Sequence, residues 1–126
     1  MNNDNFNIND LLNSAYKQIQ LKNFNNAKDL FKKIIFMNRS IPEVHNNLGM
    51  VYLNLNDYEK AIKSFNNAIS LKPDFSEAFS NLGIAYDKIG NFQISEKNYK
   101  KSISINKKNI IPYYNLGNLY RDQNDL

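Results

Sequence analysis

Leu-Gly-x-x-Tyr occurs three times at one fixed spacing, as Leu48-Gly49-x-x-Tyr52, Leu82-Gly83-x-x-Tyr86 and Leu116-Gly117-x-x-Tyr120. A fixed period of about 34 residues marks chains whose units bury their apolar faces only by stacking on neighbours. Such solenoids present an extended surface to a partner instead of enclosing an active site. The function class this indicates is binding.

The second half of each unit keeps the same register. Beyond each Leu-Gly come a small residue, an aromatic four later, and a small or apolar residue three later still: Ala61, Phe65, Ala68, then Ser95, Tyr99, Ser102. One period earlier the places hold Ala27, Phe31 and Ile34, with Ala15 where later units have Gly49, Gly83 and Gly117. These offsets follow one face of a helix. Small residues let two backbones approach, and the aromatic fills the space beside the crossing.

The pattern resembles the tetratricopeptide repeat (TPR) family. The resemblance covers nearly the whole chain, with units at 8–41, 42–75 and 76–109 and a partial fourth at 110–126, after a disordered tail over 1–7. Pro73-Asp74 near the end of the second unit also fits. Ser14, Gln18 and Lys107 depart from the family pattern, where a Leu, a Tyr and a Pro are usual. The fold the resemblance implies is all-α, a right-handed α-α superhelix of helix-turn-helix units.

Composition agrees with one compact domain: 126 residues, 42% hydrophobic, with three Pro and four Gly. There is no Cys, which excludes disulfides and thiolate chemistry and fits a reducing, cytoplasmic setting. No apolar run approaches the ~18 residues of a membrane span, and the start, Met1-Asn2-Asn3-Asp4-Asn5, lacks the basic patch of a signal peptide. Asn is unusually abundant, and Lys far outnumbers Arg. Codon bias towards adenine and thymine accounts for that skew. Asn is a poor helix former, so packing between units must supply the stability that local propensity does not.

Helices are expected near 8–21, 24–37, 42–54, 58–70, 76–88, 92–105 and 110–122. Ser40-x-x-Glu43 and Asp74-x-x-Glu77 read as capping boxes opening the third and fifth. Pro42 and Pro112 suit a first turn, and Asn56-Asp57 and Gly90-Asn91 mark the hinge within their units.

Asn13, Asn47, Asn81 and Asn115 recur at the same spacing, each on the first helix of its unit. In the TPR family that helix lines the concave groove, and this place points into it. An amide offers one acceptor and two donors, so it can pair with the backbone of an extended peptide whatever the peptide's side chains. The high Asn content is the competing explanation of the recurrence. The ladder resembles that of the TPR region of O-linked N-acetylglucosamine transferases, which leaves a substrate-recruiting fragment of a larger enzyme as the alternative to a free-standing scaffold. Glu43, Glu77, Met50, Ile84 and Lys88 complete the expected groove. Asn9, Glu43, Glu77 and Ile111 stand where the family's carboxylate clamp would want Lys, so the expected ligand is an extended peptide without an acidic tail.

Other classes are disfavoured. The net charge is +4, but Lys28, Lys32, Lys33, Lys60, Lys63 and Lys97 lie on second helices, which the family turns outward, and no Arg cluster accompanies them; specific nucleic-acid binding is not expected. His45 is the only imidazole and aligns with Phe79 and Tyr113 at a packing place. With no second His, no Cys and no convergent acidic pair, no catalytic, metal or cofactor site is expected. After Tyr120 the repeat calls for a second helix that the sequence does not supply. The expectation is a truncated array whose last helix leaves an apolar side open to self-association.

Overall fold

The computed structural model describes residues 7–124, and the expected tail lies outside them apart from Asn7. Seven helices follow one another: α1 (Ile8–Gln20), α2 (Phe24–Met37), α3 (Pro42–Asn54), α4 (Tyr58–Leu71), α5 (Ser76–Lys88), α6 (Phe92–Ile105) and α7 (Ile110–Asn124). Each packs on the next. In addition α3 touches α5 and α5 touches α7, whereas α2, α4 and α6 make no comparable contact with one another. The odd helices therefore form the closely spaced inner layer and the even helices the splayed outer one.

Three hinges have one construction. Lys22, Asn56 and Gly90, one repeat apart in the chain, each adopt a left-handed conformation with φ of 59°, 60° and 82°. The amide three places past each helix end returns to a carbonyl of its last turn: Asn23 to Gln18 at 2.8 Å, Asp57 to Tyr52 at 2.9 Å and Asn91 to Tyr86 at 2.9 Å. This is the Schellman closure, which satisfies carbonyls the helix leaves unpaired. Only Gly90 takes the conformation without a Cβ penalty.

The caps differ from the sequence reading. The Asn7 side chain caps α1 by accepting from the Asp10 amide at 2.8 Å, so this residue belongs to the array and not to a tail. Asp57 and Asn91 cap α4 and α6 in the same way, both at 3.3 Å. The two expected capping boxes do not form: Ile41 and Phe75 occupy the N-cap places of α3 and α5, and neither has a side-chain cap. Pro42 begins α3 itself, which moves the cap one residue past Ser40. Phe75 is buried, so packing takes the cap place of α5.

The core follows the repeat. Ala15, Ala27, Phe31, Ala61, Phe65 and Ser95 are wholly buried, and Tyr99 nearly so. A Cβ on Gly49 would collide with the Phe65 ring, and one on Gly83 would lie 2.5 Å from Tyr99 Cε1. Both glycines therefore sit at the tight crossing of the two helices in their unit. Ser95 stands where other units have Ala, and its hydroxyl donates to the Gly83 carbonyl at 2.6 Å, satisfying a polar group in a fully buried place.

Candidate functional site

Helical period brings the Asn positions onto the inner layer, on α1, α3, α5 and α7. Asn13 is exposed, and Asn47, Asn81 and Asn115 are half-buried. Two of the amides are engaged across units. Asn47 Nδ2 donates to Tyr16 Oη at 3.0 Å, and Asn81 Nδ2 donates to Asn46 Oδ1 at 3.0 Å, each joining one inner helix to the preceding one. Each bond uses one N–H of its amide, leaving the other N–H and the carbonyl oxygen available.

A cavity of 410 Å³ opens on this layer, lined by Met50, Glu77, Ser80 and Asn81 together with Asn106, Lys108, Asn109 and Ile111. The structure thus brings together three of the expected groove residues, Met50, Glu77 and Asn81. Asn13, Asn47, Asn115, Glu43, Ile84 and Lys88 are not among its walls. Lys88 is exposed at the end of α5, beside Asp87, whose carboxyl burial holds above the ordinary carboxylate range, with Asp122 acting in the same direction and Lys88 against it. Asn106, Lys108 and Asn109, from the turn between α6 and α7, fall outside the helical period, and nothing in the repeat signature points to them.

The floor of the cavity has a distinctive atom. Ser80 is 3% exposed, and its hydroxyl is the buried side-chain polar atom without a protein partner among the described residues. One period earlier the equivalent Asn46 accepts the bond from Asn81. Elsewhere, His45 is buried and its Nε2 donates to the Arg39 carbonyl at 2.8 Å, a structural arrangement. Among the described residues no group of three or more His, Cys, Asp or Glu is placed to hold a metal ion, and no helix is long and apolar enough to cross a membrane.

Two tetratricopeptide repeat models match the sequence, at residues 42–75 and 76–109, and together they span more than half of the chain. The chain belongs to the tetratricopeptide repeat family, and its fold is the all-α solenoid of that family. A search of the curated proteins returns no match. Among solved structures, it is similar to MamA with 26% identity and a TM-score of 0.87, covering 96% of this chain and 71% of that one. It is similar in fold to the first TPR of Spaghetti (RPAP3) bound to the HSP90 peptide SRMEEVD, with 18% identity, 92% coverage of both chains and a TM-score of 0.87. The second TPR domain of human RPAP3, in complex with the HSP70 peptide SGPTIEEVD, gives 19% identity, covers 87% of this chain and 92% of that one, and has a TM-score of 0.83.

These complexes correct one expectation from sequence. Peptides ending in acidic residues are held by arrays of this fold, so an acidic tail is no ground for exclusion. Charge in a groove is not set by a single place per inner helix. A groove also takes charge from turns, and here Lys108 shares a cavity wall with Glu77.

Proposed function

We propose that the inner layer binds an extended peptide segment and that the protein is an interaction scaffold without chemistry of its own. The observation that carries this reading is the set of half-buried amides at repeat spacing, with spare acceptors and donors, beside a cavity floored by the unpartnered Ser80 hydroxyl. Each amide pairs with peptide backbone and the cavity receives a side chain. The peptide complexes of the RPAP3 domains support it by analogy of fold. The resemblance of the ladder to that of O-linked N-acetylglucosamine transferases favours a second reading, in which the array recruits substrates for a catalytic domain.

The test uses a peptide selected on this protein from an array that includes acidic tails. Asn81→Ala combined with Asn115→Ala should weaken binding by ~1–3 kcal/mol in calorimetry. Asn81→Ala should also lower stability by ~1 kcal/mol through the lost bond to Asn46, whereas Asn115→Ala should leave it unchanged. Ser80→Ala should show the opposite signature, stability held or raised by up to ~1 kcal/mol with weaker peptide binding, because it removes an unpaired buried hydroxyl. Unaltered affinity in both the double variant and Ser80→Ala would refute the inner layer as the binding face.

A further inference from the structure

The outer layer carries a second feature that the groove does not use. Over α3, between α2 and α4, two adjoining cavities of 510 and 350 Å³ share Ile35, His45, Lys63 and Asn67. Their cationic walls are Lys32, Arg39, Lys60 and Lys63, and neither cavity has an Asp or Glu in its lining. Lys60 stands 3.6 Å from Asp57. Lys32, Arg39 and Lys63 have no ion pair among the described residues. One period on, where α6 packs on α5, a cavity of 510 Å³ has Phe79 in the place of His45 and Lys97 in the place of Lys63, joined by Lys100 and Lys101. The Lys101 ammonium lies 6.0 Å from the Phe79 ring centroid, and Lys100 pairs with Glu96 at 3.2 Å.

Cations gathered in a cleft without carboxylates repel one another, and low-dielectric walls focus their field outward. An anionic ligand relieves that repulsion. The chemistry of the walls selects among anionic ligands. Apolar side chains, Ile35 and Leu71, stand between the charges, which suits a ligand that interleaves apolar groups with its anions. At the first cleft His45 and Tyr52 are 7% and 8% exposed and so present no ring face on which bases could stack, and at the second the half-buried Phe79 ring has the Lys101 ammonium over it. The cations are almost all Lys, point charges that meet single, spaced anions without the bidentate geometry an Arg fork imposes on carboxylate or phosphate. We infer that the outer layer is a second binding surface, for an acidic protein segment alternating carboxylate and apolar side chains, laid across the α2–α4 cleft and onto the lysines of α6 beside Phe79. It is independent of the inner layer, so one molecule can hold two segments at once.

A short fluorescein-labelled peptide alternating Glu and Leu is the probe, read by anisotropy at low ionic strength against single-stranded oligo-dT. The peptide should bind and amide resonances of Ile35 and Asn67 should shift. Lys32→Glu with Lys63→Glu should weaken it about tenfold, since two favourable contacts become repulsive. Asn81→Ala with Asn115→Ala should leave it unchanged, which separates this surface from the inner one. Both lysines are exposed, so the fold should survive; Lys32→Gln with Lys63→Gln, expected to weaken binding by a smaller factor, serves if the reversal unfolds the chain. Absence of binding, equal affinity in the charge variants, or tighter binding of oligo-dT would each overturn the inference.

Discussion

Gly83 and Gly117 occupy the same place in successive units and meet opposite surroundings. On α5, a Cβ at Gly83 would run into the Tyr99 ring of α6, while on α7 a Cβ at Gly117 would have nothing within 4 Å. The same letters thus encode a close crossing in one unit and open surface in the other. What makes the glycine necessary on α5 is the aromatic ring that α6 brings back against it. A repeat motif is half of a contact, and its physical content depends on the helix that completes it.

The comparison is tested most severely at Gly83. Gly83→Leu should cost ~1–3 kcal/mol or more, because a buried ring and the Ser95 bond to the Gly83 carbonyl must both move to admit it. Solenoid geometry sums small rotations between units, so the inner layer should distort as well. Denaturant titration of the variant reads the effect, and a neutral result would remove Gly83 from the crossing.

Tyr99, the other half of that contact, gives a pH-dependent reading. Burial, with Asp87 adding to it and Ser95 opposing it, pushes the phenol up to about 12. In the unfolded chain the phenol ionises near 10. Below that pH both states hold the proton and this residue adds no pH dependence. Between about 10 and 12 the unfolded chain has released its proton and the folded chain has not, so stability falls by ~1.4 kcal/mol per pH unit. Tyr99→Phe should remove that share of the alkaline slope, and identical slopes in the two proteins would contradict a buried phenol beside Gly83.

Much of this architecture was legible because helical period and repeat period reinforce each other. All seven helices begin where the sequence places them and end within two residues of it. What escaped the sequence is what neither period encodes. Caps depend on single-residue offsets, so Pro42 and Phe75 displaced two expected boxes. The left-handed hinge at Lys22 carries no glycine to announce it. Asn47 and Asn81 were legible as inner-layer positions, but their bonds to Tyr16 and Asn46 join different units and follow from the stagger of neighbouring helices. Lys108 and Asn106 reach the inner cavity from a turn, and Ser80 became distinctive only when its burial and missing partner were seen together.

The smallest effect is expected at the equivalent place on α7. Gly117 lies inside α7, exposed, with open space where a side chain would go. There glycine contributes only its backbone freedom, which a helix must freeze. Gly117→Ala should therefore raise stability by ~0.5–1 kcal/mol, the ordinary helix-propensity gain, with no clash to offset it. The same change at Gly83 should be destabilising, so one substitution at equivalent places yields opposite signs. Thermal melts of the two variants side by side read the difference directly. A loss at Gly117 would mean that this face of α7 is covered in solution, as it would be if a second copy docked there, and sedimentation of the variant across a wide concentration range would then reveal the partner it had displaced.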